Sequence, residues 1–277
     1  MDQSTRVPRT RARTVRIPRP IPRSVLWFAL VLFAYVVLIL GVIRWSPFLT
    51  LDKDVFRLDL RQRYPEWFYP LHTYVMLGQR APATLVALPW FAWRAWKSRS
   101  PRPLVMLGTA LVVLNLSVGV VKVATGRLGP RATPHVHAVF EGGDIFPSGH
   151  VSNAVVLYGL IAMLAVSFRR AVMVAAVFVS ITVGLCTVYL DTHWVSDVLG
   201  GWLAGVLVLL VLPWIMPYAE RVAEMVIRWG RRRFTSRAKH RQPKHRAVPV
   251  AATRMPPPVH EQVYQGPEPV KAGGVRG

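Results

Sequence analysis

Cysteine is nearly absent from this 277-residue sequence, which has only Cys186, placed within an apolar run. One cysteine excludes a disulfide framework and a cysteine-based metal site. Acidic residues are also scarce, with 13 Asp and Glu against 35 Lys and Arg, and they form no carboxylate cluster of the kind that binds a divalent cation. We therefore expect neither a metal nor a cofactor in the functional site.

The formal net charge of +22 and the pI near 11.5 resemble those of nucleic-acid-binding proteins. However, most basic residues lie in the two tails and in short loops, and the tails show no alternation of basic and aromatic residues that would form a base-stacking surface. We therefore expect no nucleic acid partner. The 52% hydrophobic content, the mean hydropathy of +0.32 and long apolar runs instead indicate an integral membrane protein.

Two basic tails enclose the apolar region. Residues 1–24 are rich in arginine and proline, and residues 218–277 combine a basic stretch with a proline- and glycine-rich end. Neither composition can form a packed core, so we expect both tails to be disordered and to face anionic lipids. The apolar run after residue 24 is long enough to span a membrane and shows no small-residue cleavage site, which argues against a cleavable signal peptide.

The apolar runs between the tails predict an all-α bundle of six transmembrane helices over residues 25–217. The predicted spans are Val25–Ile43, His72–Trp93, Leu104–Val121, Ser148–Val166, Ala171–Leu190 and Val198–Met216. Between the first two, Leu51–Leu60 is amphipathic and is predicted to lie along the interface as a short helix.

Charge predicts the orientation of these spans. The N-terminal tail, the loop Trp96–Pro103, the turn Arg169–Arg170 and the C-terminal tail are all basic and fall on one side of six spans. The positive-inside rule makes that side cytoplasmic, in a multi-pass protein of the cell membrane with both termini inside. Nearly all residues able to do chemistry then lie at the extracytoplasmic face.

The second span contains Arg80, which is costly inside a membrane and is a functional candidate for that reason. Its position is equally consistent with a side chain that reaches to the membrane surface. It is also consistent with a helix that begins later than the hydropathy indicates.

Pro147-Ser148-Gly149-His150 stands at the start of the fourth span. Pro147 suits the first position of a helix, and the N–H groups of Ser148, Gly149 and His150 would then be free to bind an anion. His150 can donate a proton near neutral pH. Taken alone, the segment is equally consistent with a simple loop-to-helix junction.

His193 and Asp197 form a third cluster, and their separation of four residues places both on one face of a helix that begins near His193. A carboxylate on one imidazole nitrogen increases the nucleophilicity of the other. Taken alone, the pair is better explained as a polar helix start, with Asp197 near the N-cap.

The order of Lys122, Pro147-Ser148-Gly149-His150 and His193-x-x-x-Asp197 resembles the type 2 phosphatidic acid phosphatase superfamily, over about Leu104 to Leu212. These proteins are six-span lipid phosphate phosphatases. The resemblance implies that His193 is the nucleophile and forms a phosphohistidine, that Asp197 orients it, and that His150 is the acid and base. Lys122, Ser148 and the Gly149 N–H would bind the phosphoryl oxygens.

Two positions depart from the family pattern. Its first motif ends in Arg-Pro, where this chain has Gly129-Pro130, and its third begins with Ser-Arg, where this chain has Cys186-Thr187. The loss of two guanidinium–phosphate contacts would lower the rate on the order of 10³-fold or more. We therefore predict that at least one nearby cation replaces them, and the candidates are Arg80, Arg127 and Arg131.

We accordingly expect a membrane phosphatase acting on a lipid phosphate. The candidate substrates are polyprenyl diphosphate or phosphate, phosphatidate and phosphatidylglycerol phosphate. The alternative is a weak or inactive family member that binds lipid phosphate as a regulator or transport component. The remaining polar residues of the loops are expected to be solvated, namely His135, His137, Asp144 and Asp191.

Overall fold

The computed structural model describes residues 22–44 and 47–241, and within them the chain is helical without a β-strand. The compact unit described below ends at Gly230. The helices are α1 (Pro22–Ile43), α2 (Pro47–Phe56), α3 (Leu60–Arg63), α4 (Phe68–Tyr74), α5 (Arg80–Ser98), α6 (Arg102–Thr125), α7 (Gly149–Leu164), α8 (Arg169–Tyr189) and α9 (Val195–Arg241), with 3₁₀ turns at Pro65–Trp67 and Val75–Gly78.

Four of the described helices are long and apolar enough to cross a membrane. They are α1, α6, α8 and α9, and each contains an apolar window with a mean hydropathy between 2.3 and 2.9. Helix α7 is apolar but has only 16 residues, and α5 has 19 residues with Arg80, Arg94 and Lys97 among them. The chain is therefore a helical membrane protein, while the count of six spans stays a prediction.

The second predicted span is not continuous, and that prediction was wrong. Helix α4 ends at Tyr74, a 3₁₀ turn runs to Gly78, Gln79 is extended, and α5 begins at Arg80. The break coincides with close packing, because a Cβ at Gly78 would lie 2.6 Å from Cγ1 of Val183 and 2.7 Å from the carbonyl oxygen of His150. Arg80 thus lies at the start of a helix, and this later helix start is one of the alternatives that the sequence left open.

The last helix continues beyond its predicted end at Met216. Helix α9 extends to Arg241, so residues 218–241 are helical and the prediction of a disordered tail was wrong for them. Pro213 and Pro217 lie inside this helix. Residues 22–24, assigned to the N-terminal tail, already belong to α1. The predictions for residues 1–21 and 242–277 lie outside the described residues.

Helix α7 is the centre of the bundle, in contact with α5, α6 and α8. It also packs tightly on α9, since a Cβ at Gly201 would lie 2.8 Å from the carbonyl oxygen of Ser148 and one at Gly205 would lie 2.6 Å from Cβ of Val155. Buried apolar residues of α5, α6, α7 and α9 form the main core, including Phe91, Leu114, Leu157 and Leu212. This packing brings the start of α7 beside the start of α9.

Candidate active site

A pocket of about 290 Å³ lies where α5, α7 and α9 begin and α6 ends. Four of its residues carry a cation or an imidazole, namely Arg80, Lys122, His150 and His193. The remaining lining residues are Gly78, Gln79, Asp144, Ile145 and Gly149. In the described part of the chain, no three His, Cys, Asp or Glu side chains are grouped so that they could hold a metal ion. The pocket is therefore suited to an anion.

Helix α7 begins at Gly149, two residues later than a helix with Pro147 at its first position would begin. Ser148 is the N-cap, its Oγ accepts from the N–H of Val151 at 3.4 Å, and α7 starts at Gly149. The prediction that Pro147 occupies the first helical position was therefore wrong. The Ser148 N–H is not free either, because it donates to the backbone oxygen of Asp197 at 2.9 Å.

Ser148 is fully buried and does not line the pocket, whereas Gly149 does. A Cβ at Gly149 would lie 4.0 Å from Nζ of Lys122, so the glycine leaves the approach to that ammonium open. Lys122 stands in the last turn of α6, and its Nζ donates to the backbone oxygen of Asp144. Asp144, expected to be a solvated loop residue, thus helps to position a cation of the pocket.

His193 and Asp197 meet, although not on one helical face. Helix α9 begins only at Val195, so His193 lies in the preceding turn. One oxygen of Asp197, Oδ2, lies 3.6 Å from Nδ1 of His193 and accepts from the N–H of Trp194 at 2.9 Å. The contact with His193 is too long for a hydrogen bond. Asp197 therefore combines the two roles that the sequence left open, since it caps the helix start and faces the imidazole.

The two histidines of the pocket face each other. Their ring centres are 6.0 Å apart, with the rings inclined at 70°. Because Nδ1 of His193 faces Asp197, Nε2 is the ring nitrogen left for the pocket. A phosphoryl group between the rings can contact both of them.

Arg127 does not lie in the pocket, and its predicted role as a phosphate ligand was wrong. Its side chain is fully buried and forms ion pairs with Asp52 at 2.7 Å and Asp197 at 2.5 Å. It also donates to the backbone oxygen of Val136 at 2.9 Å and to Oγ of Ser196 at 2.7 Å. A guanidinium engaged in this way cannot turn towards a substrate.

Arg131 is also outside the pocket lining, and its Nε and Nη2 donate to the backbone oxygen of Leu190 at 3.2 and 2.9 Å. Arg80 differs from both other candidates. It stands at the first position of α5, is exposed, and lines the pocket together with Lys122. Of the three candidate replacements, Arg80 alone is placed to reach an anion in the pocket.

Sequence reasoning missed Asp52, although it lies in the segment predicted to form an interfacial helix. Its carboxylate is buried, and it accepts from the N–H of Ser196 at 2.8 Å and from Oγ of Ser196 at 2.5 Å. Burial raises the pKa of Asp52 above its ordinary value, while Arg127 and the hydrogen bonds from Ser196 offset part of the rise. A carboxylate in a half-apolar helix is a weak sequence signal, because such helices commonly expose their acidic residues.

The two positions that lack the family arginines are occupied differently. Gly129 is buried against Ile145 of the pocket. Thr187 is fully buried in the last turns of α8, where its hydroxyl donates to the backbone oxygen of Gly184 at 2.7 Å. Its own backbone oxygen accepts from the N–H of His193 at 3.4 Å, so Thr187 supports the histidine through the main chain.

The other polar loop residues lie outside the pocket lining. His135 is exposed, and His137 has its Nε2 2.8 Å from the backbone oxygen of Ile43. Asp191 has a positive φ of 54°, and partial burial raises its pKa. His137 is therefore not a simple solvated residue.

Residues 103–221 match the family model described as the PAP2 superfamily. Over 93 residues the chain is 36% identical to phosphatidylglycerophosphatase B of Bacillus subtilis (strain 168), and the alignment covers 31% of this chain and 44% of that protein. The chain thus matches less than half of this relative's length.

The fold is similar to the crystal structure of a transmembrane PAP2-type phosphatidylglycerolphosphate phosphatase from Bacillus subtilis. The TM-score is 0.58 at 24% identity, and the match covers 67% of this chain and 93% of that chain. The match to the family model contains both histidines of the pocket, Lys122 and Asp197. Residues 103–221 of this chain are therefore similar in sequence to the PAP2 superfamily, and the fold is similar to that of a PAP2-type phosphatase.

Proposed function

We propose that this protein is a membrane phosphatase that removes phosphate from a lipid phosphate or diphosphate through a phosphohistidine intermediate. The observation that supports it most directly is the pocket in which His150 faces His193, with Asp197 behind His193 and two cations on the wall. The sequence relative named a phosphatidylglycerophosphatase supports the same reaction class.

In the first step, Nε2 of His193 attacks phosphorus and forms the P–N bond. His150 gives its proton to the departing oxygen, so the P–O bond breaks and the lipid leaves as an alcohol or a monophosphate. Asp197 stabilises the positive charge that develops on the phosphorylated imidazole, because its carboxylate lies 3.6 Å from Nδ1.

In the second step, neutral His150 takes a proton from water, whose oxygen attacks phosphorus as the P–N bond breaks. His193 is restored and inorganic phosphate is released. Throughout both steps, Lys122 and Arg80 neutralise the negative charge on the equatorial oxygens of the phosphoryl group. Stabilising this charge is the main contribution of a protein to phosphoryl transfer. Arg80 then supplies charge that Gly129 and Thr187 cannot.

We place the pocket at the extracytoplasmic face. The pocket lies at the end of α6 and the starts of α5, α7 and α9, whereas the connections α5–α6 and α7–α8 lie at the other ends of these helices. Those connections and their flanks carry Lys97, Arg99, Arg102, Arg169 and Arg170. The positive-inside rule favours the cytoplasm for them.

The test is phosphate release by the detergent-purified protein with EDTA present. The panel contains phosphatidylglycerol phosphate, phosphatidate and polyprenyl diphosphate, and His193→Ala is measured beside the wild type. We expect turnover in EDTA that the substitution abolishes, and a phosphorylated His193 when the wild type is quenched during turnover. Turnover that persists in folded His193→Ala would rule out this mechanism.

The second candidate function is lipid phosphate binding without hydrolysis, favoured by Gly129 and Thr187. His135→Ala is the matched control for these measurements, because it alters an exposed imidazole outside the pocket. Absence of turnover on every lipid, from folded protein that still binds the lipid, would favour the binding role. The retained pair His193 and Asp197 favours the enzyme, since a binder has no need of an oriented nucleophile.

A further inference from the structure

Arg127 is shared by two buried carboxylates. Its Nη2 lies 2.7 Å from Oδ2 of Asp52, and its Nη1 lies 2.5 Å from Oδ1 of Asp197. All three side chains have no exposed surface, and their formal charges sum to −1. A lone Arg127–Asp197 pair would instead be neutral, so Asp52 determines how much negative charge remains beside His193.

Asp52 also connects α2 to the first turn of α9. Both of its oxygens accept hydrogen bonds from Ser196, one from the backbone N–H and one from Oγ. Ser196 is adjacent to Asp197 in the chain, and Arg127 donates to Oγ of the same serine. Buried charges are tolerated when they are paired and hydrogen-bonded in this way. The arrangement fixes the guanidinium between its two partners.

Because Arg127 contacts one oxygen of each carboxylate, the second oxygen of Asp197, Oδ2, is not engaged by the guanidinium. That oxygen accepts from the N–H of Trp194 at 2.9 Å and faces Nδ1 of His193 at 3.6 Å. Guanidinium groups favour two parallel hydrogen bonds to one carboxylate. If Asp52 lost its charge, both Nη groups could turn to Asp197 and compete with His193 for Oδ2.

We propose that Asp52 is a positioning residue for the histidine nucleophile. It retains one end of Arg127, so that Asp197 keeps an oxygen and its negative charge for His193. The proposal rests on the proposed function for its kinetic consequence, but the reactivity of the imidazole tests it without a lipid substrate.

The kinetic test compares Asp52→Asn with Asp54→Asn, which removes an exposed carboxylate two residues away on the same helix. We expect Asp52→Asn to lower kcat by about 10- to 100-fold with KM within about twofold, because partners that orient a reacting group typically have effects of this size. Asp54→Asn should match the wild type. Wild-type kcat in folded Asp52→Asn would overturn the proposal.

A double variant distinguishes competition between Arg127 and His193 for Asp197 from a general loss of structure. Asp52→Asn/Arg127→Gln removes the competing guanidinium, so its kcat should exceed that of Asp52→Asn. A purely structural role predicts a double variant no better than the single one, and that result would overturn the proposal. Ser196→Ala keeps every charge and removes the two hydrogen bonds that Oγ forms with Asp52 and Arg127, and it should lower kcat about fivefold.

Carbethoxylation of His193 by diethyl pyrocarbonate, followed by mass spectrometry, measures imidazole reactivity directly. We expect a slower reaction in Asp52→Asn than in Asp54→Asn. Equal rates in the two folded variants would overturn the proposal whether or not any lipid is hydrolysed. Conversely, absence of turnover in the wild type would defeat the proposed function, while slower carbethoxylation in Asp52→Asn would still support the role of Asp52.

Discussion

Gly129 lies directly against Ile145, so that a Cβ added at position 129 would come 3.0 Å from Cγ1 of the isoleucine and 3.3 Å from the backbone oxygen of Thr192. Ile145 lines the candidate active site, and position 129 is where the family pattern has an arginine. The apolar side chain of Ile145 thus lies next to the position where the Cβ of the family arginine would be. Restoring the arginine requires space as well as charge.

We predict that Gly129→Arg alone does not raise activity, whereas Gly129→Arg/Ile145→Ala raises kcat/KM by about tenfold or more, since a guanidinium–phosphate contact contributes about 1.5–3 kcal/mol. The measurement is steady-state phosphate release in detergent, with Ile145→Ala as the control. An equal gain from Gly129→Arg alone would show that Ile145 is no obstacle. A double variant no better than Ile145→Ala would show that position 129 does not reach the phosphate.

Arg80→Ala should lower kcat/KM by about 10- to 100-fold, because it removes a cation that we propose contacts the equatorial oxygens. Arg80→Lys should retain part of the activity, as it keeps the charge without the two-pronged geometry. Arg131→Ala is the matched control, since Arg131 donates to the backbone oxygen of Leu190 and does not line the pocket. Equal losses in the two alanine variants would contradict the assignment to Arg80.

The sequence predicted the helical membrane architecture because apolar runs of spanning length are a strong signal. It failed where tertiary contacts override hydropathy. Gly78 packs against Val183 and the backbone of His150 at the point where a run whose hydropathy predicts one helix is interrupted. The extent of α9 has a different cause, because a basic composition does not by itself show where a helix ends, and α9 continues beyond Met216.

For the site as well, the sequence indicated some residues and missed others. The resemblance selected Lys122, His150, His193 and Asp197, and the structure brings these residues together, while their catalytic roles stay predictions. Closeness in the sequence was a poor guide to the role of Arg127. It lies two residues from the position where the family has a phosphate-binding arginine, yet its side chain forms buried ion pairs. No spacing rule connects it to Asp52, because 75 residues separate the two partners.

His150→Gln should reduce kcat by about 10²- to 10⁴-fold on a lipid substrate, the usual range for loss of a general acid and base. The first step should be much less affected with p-nitrophenyl phosphate, whose leaving group needs no proton. The phosphoenzyme of His150→Gln should therefore accumulate with this substrate, and quenching followed by mass spectrometry detects it. Equal losses on both substrates, without a phosphoenzyme, would contradict the role of His150 as the acid.

Close packing between α9 and α7 should control the stability of the site. A Cβ at Gly201 would lie 2.8 Å from both the backbone oxygen of Ser148 and Cβ of Val151, so Gly201→Ala must push the start of α9 away from α7. We expect a loss of about 1–3 kcal/mol, the usual effect of overpacking, measured as a lower thermal midpoint in detergent. Gly119→Ala is the control, since nothing lies within 4 Å of its Cβ, and its midpoint should not fall. Activity should fall with Gly201→Ala, because the start of α9 positions Asp197 against His193. Wild-type stability in Gly201→Ala would show that the two helices can separate without cost, and the glycine would then have no part in forming the site.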